Sequence, residues 1–207
     1  ILVSYILKAK DLNCYRSGNK IFQGLNFEID SGSNIEVIGS NGSGKTSFLR
    51  ILLGFIPDYE GLVHWSGNEE NIDIRYQEKS CFYQGHQTGI KPLLSVYENL
   101  KFSSSGFSSS RTLIHDSAIR VGLDNHLNTP ASELSAGQRK RIAIARWLLK
   151  DFDLYLVDEP FTALDDEGCD LIKAVMSELN KKGSSFLITG HRNLLPDTEK
   201  LILDDLK

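Results

Sequence analysis

Eight consecutive residues have the types and the spacing that bind a phosphate chain. They are Gly39-Ser40-Asn41-Gly42-Ser43-Gly44-Lys45-Thr46, and Ser47 follows them in the same predicted site. Glycines allow successive backbone N–H groups to turn toward an anion, and a helix that starts at the loop adds its positive end. We expect the Lys45 ammonium to reach the β- and γ-phosphates of a nucleotide and the Thr46 hydroxyl to bind Mg²⁺. The pattern therefore predicts a nucleotide-binding loop.

Two adjacent carboxylates, Asp158 and Glu159, follow the apolar run Leu154–Val157. Taken alone, consecutive acids after a strand are usually a solvated turn. The upstream phosphate loop favours a functional interpretation, because the carboxyl ends of parallel strands face a shared crevice. We expect Asp158 to hold Mg²⁺ and Glu159 to polarise an attacking water as a general base.

Short apolar runs predict the sheet that positions these residues. The β-branched run 35–38 ends at Gly39, residues 46–53 have helical spacing, and the runs 154–157 and 185–189 predict further buried strands. Because helical patterns flank these runs, the sequence predicts an α/β fold with a parallel sheet covered by helices on both faces.

The remaining portions of the chain have different patterns. Residues 1–30 alternate apolar and polar between turn signals, which predicts an antiparallel β subdomain whose first seven residues form an edge strand. Residues 88–135 contain helical stretches but no core strand, which predicts an inserted helical subdomain. The predicted organisation is a single domain over 1–207, with a core and β subdomain made of residues 1–87 and 136–207.

Composition limits the partners. The formal net charge of −4 provides no basic face, so no nucleic-acid partner is expected. No apolar run approaches the roughly 20 residues of a membrane-spanning helix, so any membrane role must be peripheral and depend on a partner. Cys14, Cys81 and Cys169 are far apart and odd in number, which predicts buried or half-buried thiols and no disulfide framework.

A further motif indicates a family. The residues Leu134-Ser135-Ala136-Gly137-Gln138 open a predicted helix. The free N–H groups of that helix suit a γ-phosphate, the Ser135 hydroxyl adds a donor, and Gly137 permits close approach. The motif resembles the signature of ABC ATPases, which is commonly Leu-Ser-Gly-Gly-Gln. Other motifs of that family match in order: Gln87 the Q-loop, Ala163-Leu164-Asp165 the D-loop and His191 the switch histidine.

The resemblance to ABC ATPases implies a P-loop NTPase core that binds ATP and Mg²⁺ and hydrolyses ATP to ADP and phosphate. It also implies that two copies of the chain meet head-to-tail. In such a homodimer Ser135, Gly137 and Gln138 of one copy would close the phosphate loop of the other. Asp165 would then lie at the dimer interface.

The same resemblance assigns roles to single residues. Gln87 would contribute to Mg²⁺ binding and catalysis, and His191 would hydrogen-bond the γ-phosphate and hold the water with Glu159. The family usually has an aromatic residue that stacks on adenine, and that position lies nearer Arg16 than Tyr15. Because a guanidinium plane also stacks on a base, either residue could serve. Either could equally be a surface residue at a strand end.

Several strings resemble one group within the family, the ATP-binding subunits of the cytochrome c maturation system. These strings are residues 83–91, 97–100, 134–138, 146–149 and 158–163. The resemblance implies a peripheral subunit on the cytoplasmic face of the inner membrane, or on the matrix face in a mitochondrion. It would work with membrane subunits of the CcmB, CcmC and CcmD type, and its ATP cycle would release the haem-loaded chaperone CcmE.

Other functions stay open at this point. One alternative is the ATPase of another small ABC transporter, for a lipid, a peptide or a drug. Another is an ABC protein that acts on nucleic acid or ribosomes, and a third is a nucleotide-binding scaffold without turnover. Four histidines, His64, His86, His115 and His126, lack any paired pattern and are interpreted as surface residues without a role.

Overall fold

The computed structural model describes residues 5–16, 18–66, 80–104, 109–162, 164–191, 195 and 198–206. In chain order the strands are β1 (Tyr5–Arg16), β2 (Asn19–Asp30), β3 (Asn34–Ile38), β4 (Glu60–Trp65), β5 (Cys81–Gln84), β6 (Leu154–Val157), β7 (Ser185–Gly190) and β8 (Glu199–Ile202). The helices are α1 (Lys45–Leu52), α2 (Val96–Ser103), α3 (Arg111–Arg120), α4 (Ala136–Ala145) and α5 (Asp166–Asn180), with 3₁₀ turns at Asp124–His126, Ala131–Glu133, Arg146–Leu148 and Leu203–Leu206.

The chain forms two compact units. Unit 1 consists of Ile1–His86, Phe152–Thr162 and Leu179–Lys207, and unit 2 of Gln87–Asp151 and Ala163–Glu178.

Unit 1 contains a three-stranded antiparallel sheet of order β2-β1-β4. Leu7 of β1 pairs with Ile29 on one side and with Trp65 on the other, and all three side chains are buried. The predicted antiparallel strands are therefore confirmed. The prediction of an edge strand is wrong for residues 6–7, because β4, which the sequence did not predict, pairs with the second side of β1 there. Residues 1–4 lie outside the described part.

Unit 1 also contains a five-stranded parallel sheet of order β5-β6-β7-β3-β8. Every residue of β6 and β7 is buried, as is typical of a parallel sheet covered on both faces. The strands predicted from apolar runs are confirmed as β3, β6 and β7. The carboxyl ends of these three strands lead into Gly39, Asp158 and His191, which brings the predicted site to one edge of the sheet.

Helix α1 begins at Lys45, directly after the phosphate loop, and confirms the helix predicted over 46–53. Its apolar residues recur at helical spacing and are buried. The Phe48 ring packs edge-on against Phe22 and Phe27, with centroid distances of 6.1 and 5.4 Å. Aromatic pairs in this arrangement add about 0.5–1.5 kcal/mol beyond the area that they bury. The contacts anchor α1, and with it the loop, on the antiparallel sheet.

Unit 2 is helical. Helix α4 contacts both α2 and α3, and their buried apolar residues include Val96, Leu100, Ile114, Ala118, Ile142 and Ala143. The sequence-based division ended the helical part at residue 135. In the structure the unit continues to Asp151, since α4 packs on the preceding helices, and it also includes Ala163–Glu178.

Two expectations from composition can be compared with the described residues. None of the helices in these ranges combines the length and the hydropathy needed to cross a bilayer. Cys14 and Cys81 are buried free thiols and Cys169 is half-buried, as predicted. Burial raises the pKa of the Cys81 thiol, which keeps it in the unreactive protonated form.

Candidate active site

Two glycines of the phosphate loop occupy positions where a side chain does not fit. A Cβ at Gly39 would lie 2.2 Å from Ser43 Oγ, and one at Gly44 would lie 2.4 Å from Ile21 Cγ2. Gly44 also has a φ of 98°, in the left-handed region that favours glycine. It precedes α1 without a capping side chain, so the first N–H groups of the helix remain directed at the loop. This geometry is that of a loop built to hold an anion.

The Lys45 ammonium is buried at the centre of the loop. Its Nζ donates hydrogen bonds to the carbonyl oxygens of Gly39 and Ser40, at 2.8 and 3.2 Å. It also lies 3.5 Å from Oε1 of Glu159 and 3.4 Å from Nδ1 of His191. A buried ammonium needs such partners, because its desolvation is costly when it is left alone. The structure thus brings together five residues that the sequence assigned to one site.

Asp158 and Thr46 lie in direct contact, although 112 residues separate them. The Thr46 hydroxyl donates to Oδ2 of Asp158 at 2.7 Å, and the Thr189 hydroxyl donates to Oδ1 at 2.6 Å. The Asp158 side chain is almost fully buried. Both carboxylate oxygens are therefore fixed, and the pair presents the hard oxygen ligands that Mg²⁺ prefers. Thr189, which the sequence analysis did not single out, orients the predicted metal ligand.

Glu159 is held between two imidazoles. Its Oε1 lies 2.9 Å from Nε2 of His191, and its Oε2 lies 3.4 Å from Nδ1 of His86. The backbone of Glu159 has a φ of 53°, an unfavourable value for a residue with a side chain. Such local strain is found where surrounding contacts dictate the conformation. The sequence predicted Glu159 and His191 as a pair but assigned His86 no role.

Asp204 is a third residue that sequence reasoning missed. Its Oδ2 accepts a hydrogen bond from the Ser40 backbone N–H at 2.7 Å, and its Oδ1 accepts one from the Ser40 hydroxyl at 2.7 Å. Hydrogen bonds to an ionised acceptor are stronger than neutral ones. Asp204 therefore braces the first turn of the loop from the 3₁₀ turn that follows β8.

An open cavity of about 250 Å³ lies over the loop in unit 1. Its lining residues are Arg16, Ile21, Asn41, Gly42, Gly44, Lys45, Thr46, Ser47 and Glu159. Arg16 is thus brought to the mouth of the phosphate loop by the end of β1. Tyr15, the other residue considered for adenine, is 41 % exposed.

The signature motif lies in unit 2 and begins α4. Ser135 is the N-cap residue: its hydroxyl accepts a hydrogen bond from the Gln138 backbone N–H at 3.1 Å, and Gln138 Oε1 accepts one from the Ser135 N–H at 2.9 Å. This reciprocal capping box fixes the start of the helix. Gly137 is exposed beside it. A cavity of about 610 Å³ is lined by Gly122, Ser135, Gly137, Gln138, Arg141, Ile144, Leu164, Asp165, Glu167 and Gly168.

Two further predicted residues also belong to unit 2. Asp165 lines the cavity beside the signature and caps α5, because its Oδ1 accepts a hydrogen bond from the Gly168 N–H at 2.9 Å. Ala163 of the predicted D-loop lies outside the described residues. Gln87 is the first residue of unit 2 and is exposed, and its role in Mg²⁺ binding stays a prediction.

A family described as ABC transporter matches residues 22–162, which contain the phosphate loop, the signature and both carboxylates. The chain belongs to the ABC transporter family. Family membership makes it an ABC-type ATPase, which binds and hydrolyses ATP, as the sequence predicted.

Curated members of this ABC family are similar to the chain over nearly their whole length. The cytochrome c biogenesis ATP-binding export protein CcmA of Bradyrhizobium diazoefficiens is 38 % identical over 195 residues, which covers 94 % of the chain and 96 % of that protein. CcmA of Yersinia pseudotuberculosis is 39 % identical over 190 residues, covering 91 % and 87 %. Among solved structures, a bacterial Atm1-family ABC exporter with ATP bound superposes with a TM-score of 0.83 over 99 % of this chain and 38 % of that chain, at 23 % identity. The structural likeness shows the same fold.

Proposed function

We propose that this ABC-type ATPase is the ATP-binding subunit of a cytochrome c maturation complex. The observation that carries the proposal is the similarity to proteins described as cytochrome c biogenesis ATP-binding export proteins, over 87 % or more of their length. In this role the chain would hydrolyse ATP to ADP and phosphate, and the cycle would drive haem export through release of a haem-loaded chaperone.

The phosphate chain of ATP would bind in the loop 39–46, with Ser47 next to it at the start of α1. In the structure Lys45 donates to neutral carbonyl oxygens at 2.8 and 3.2 Å. A γ-phosphate would replace these with an anionic acceptor, which forms stronger hydrogen bonds. The first N–H groups of α1 and the loop glycines would bind the remaining oxygens. Asp204 would keep the first turn of the loop in place through Ser40.

Thr46 and Asp158 are proposed to hold Mg²⁺, with Gln87 as a further ligand. The hydroxyl and the carboxylate that support this assignment lie 2.7 Å apart beside the loop. Bound Mg²⁺ would neutralise charge on the β- and γ-phosphate oxygens during transfer. The hydrogen bond from Thr189 would keep Asp158 from rotating away.

Glu159 is proposed as the general base that accepts a proton from the attacking water. His191, whose Nε2 lies 2.9 Å from Oε1, would hold the carboxylate and contact the γ-phosphate. Proton transfer to a positioned carboxylate typically contributes about 10²–10⁴ in rate.

The complete site is proposed to need two copies of the chain. The exposed start of α4 presents Ser135, Gly137 and Gln138 beside a cavity of about 610 Å³. A terminal phosphate bound by the partner copy would complement the positive end of that helix. The minimal active unit would then be a head-to-tail homodimer, with Asp165 at the interface.

Arg16 is proposed to stack on the adenine. It lines the same cavity as Lys45 and Thr46, which supports Arg16 over Tyr15. A guanidinium plane stacks on aromatic faces and remains charged.

The proposed partners are membrane subunits of the CcmB, CcmC and CcmD type and a haem chaperone of the CcmE type. With no bilayer-crossing helix among the described residues, the proposed location is peripheral, on the cytoplasmic face of the inner membrane or the matrix face in a mitochondrion. No nucleic-acid partner is proposed, since the net charge is −4.

The composite site is tested with Glu159→Gln. We expect this variant to bind ATP normally, to hydrolyse it about 100-fold more slowly, and to accumulate as a dimer with Mg-ATP in light scattering. Hydrolysis at the normal rate would exclude Glu159 as the base, and a strictly monomeric variant would reject the dimeric site.

Lys45→Ala tests the phosphate loop, because this variant should lose nucleotide binding, which Glu159→Gln should retain. Because the γ-phosphate loses its counter-ion, binding of a fluorescent ATP analogue should weaken about 100-fold or more. Lys181→Ala, at an exposed lysine of the same unit, is the control and should bind like the parent. Equal affinity of all three proteins would contradict the assigned loop.

The cytochrome c assignment is tested by capture from membranes. The tagged Glu159→Gln variant, with Mg-ATP, should retain membrane proteins of the cytochrome c maturation system. Capture of an unrelated permease in their place would assign the chain to another small ABC transporter.

A further inference from the structure

His126 lies against the signature motif, although its sequence context suggested a surface residue. It ends the 3₁₀ turn Asp124–His126 and is half-buried. Its ring Nε2 is 3.1 Å from the side-chain nitrogen Nε2 of Gln138. The sequence interpretation of His126 as a residue without a role is therefore replaced by a specific contact.

The direction of this hydrogen bond follows from the capping box. Gln138 Oε1 already accepts a hydrogen bond from the Ser135 N–H at 2.9 Å, so the amide NH₂ group is the part that faces His126. An NH₂ group only donates. His126 Nε2 must therefore be the acceptor, which requires a neutral imidazole with its proton on Nδ1.

The contact completes a chain of hydrogen bonds that ends at the start of α4. His126 accepts from Gln138, whose Oε1 binds the Ser135 N–H and whose backbone N–H binds the Ser135 hydroxyl at 3.1 Å. On the other side of the same turn, Arg139 Nη1 donates to the carbonyl oxygen of Leu134. Without His126, the Gln138 side chain would be held only by the hydrogen bond from the Ser135 N–H, and a glutamine side chain has several rotamers to occupy.

We propose that His126 is a positioning residue for the signature: its Nε2 holds the Gln138 amide, and thereby keeps the Ser135 cap in the form that meets the terminal phosphate bound by the partner copy. This inference rests on the proposed head-to-tail dimer. His126 touches no nucleotide itself, and its effect is confined to steps in which the signature takes part.

The first experiment compares two replacements of His126 in the Glu159→Gln background. His126→Met keeps an unbranched side chain but removes the acceptor, whereas His126→Gln places an amide oxygen where Nε2 stood. His115→Met is the matched control, because His115 is an exposed histidine of the same unit. Mg-ATP-driven dimerisation is measured by light scattering, and ATP affinity of the monomer by a fluorescent analogue.

We expect replacement of His126 to change dimerisation without changing the ATP affinity of the monomer. His126→Met should leave monomer ATP affinity unchanged and weaken dimerisation about 25-fold, since each of two sites loses about five-fold for one hydrogen bond. With Glu159 restored, its kcat should fall about five-fold at an unchanged KM. His126→Gln should restore dimerisation to within about two-fold of the His115→Met control, a margin set by the context dependence of a single hydrogen bond.

Three results would overturn the inference. One is dimerisation of His126→Met as strong as that of His115→Met, and another is failure of His126→Gln to improve on His126→Met. If the Glu159→Gln parent itself stays monomeric with Mg-ATP, the dimeric site is rejected and the inference falls with it. A parent that dimerises while the His126 variants behave alike rejects the inference alone.

A second measurement needs no variant of His126 to fold. The ¹⁵N chemical shifts of the imidazole in the unmodified chain report which ring nitrogen carries the proton. We expect the proton on Nδ1 and an unprotonated Nε2 at neutral pH. A ring with its proton on Nε2 would be unable to accept from Gln138 and would overturn the assignment.

Discussion

The start of α2 and the start of α4 use the same local structure for different purposes. Each begins at a serine whose hydroxyl accepts the backbone N–H three residues on, at 3.2 Å for Ser95 and 3.1 Å for Ser135. In both helices the residue three positions after the serine accepts a hydrogen bond from the serine N–H with its side-chain oxygen, at 2.8 Å for Glu98 and 2.9 Å for Gln138. The geometry is nearly identical, and only the charge of the third residue differs.

That difference separates a structural cap from a ligand site. The Ser95 backbone N–H, and then its hydroxyl hydrogen bond, lower the pKa of the Glu98 carboxyl, so Glu98 is ionised and neutralises the positive end of α2. Gln138 closes the same cap without charge. The positive end of α4 is therefore left for an external anion, and the amide keeps an N–H group for His126.

The largest expected effect comes from removing the serine at α4. Ser135→Ala should lower kcat about 100-fold, because a donor to the transferred phosphate is lost in the composite site. Ser95→Ala removes the same cap from α2 and should leave kcat unchanged. Both should lower the unfolding free energy by about 1 kcal/mol, so that thermal unfolding and steady-state ATPase assays together separate the two roles. Equal kcat values for the two variants would contradict the assignment of a ligand-binding role to Ser135 and a purely structural role to Ser95.

A smaller effect is expected when the α4 cap is made like that of α2. Gln138→Glu preserves the capping box, removes the amide N–H that contacts His126, and puts a carboxylate at the helix end that meets the phosphate. The expected loss of kcat is about ten-fold, given that charges at a helix terminus contribute up to about 2 kcal/mol. An ATPase assay at two salt concentrations should show partial recovery at the higher one. If kcat does not change, an uncharged side chain at position 138 is not needed for ATP hydrolysis.

The smallest effect concerns pH and Glu98. Its folded-state pKa is lowered, so its stabilising contribution is present above its ordinary pKa and is lost as the pH falls through the lowered value. Glu98→Gln should therefore make the thermal midpoint less dependent on pH between about pH 6 and about pH 3. Gln138→Glu should do the reverse. If the thermal midpoints of the parent and of Glu98→Gln change with pH in the same way, the proposed electrostatic difference between the two caps is contradicted.

Much of the fold followed from local patterns. The mostly apolar runs that became β3, β6 and β7 are buried along nearly their whole length, as is typical of a central parallel strand. Strand β4 was not predicted, because Leu62 is exposed and its six residues lack a regular alternation. Its absence from the prediction made β1 look like an edge strand. The assignment of α4 to the helical unit depends on its contacts with α2 and α3, which no local pattern records.

The motif residues of the candidate site were identified from type and spacing, whereas their supporting residues were not. His86 at Glu159, Thr189 at Asp158 and Asp204 at Ser40 became visible only in the structure. Each is a common polar residue, and the residues next to it in the sequence form no motif that marks it as functional. The one available signal was position, since His86 and Thr189 lie at or near the carboxyl ends of parallel strands.

The sequence by itself determined the chemistry: a glycine-rich loop with a lysine, two carboxylates after a buried strand, and a serine-capped helix start. These depend on residues close together in the chain, where backbone geometry follows from residue type. The tertiary structure alone decided which distant side chains hold them, such as Asp204, 164 residues from Ser40. Sequence separation carries no information about such pairs, because they form only when the strands of the parallel sheet align and end at a common edge.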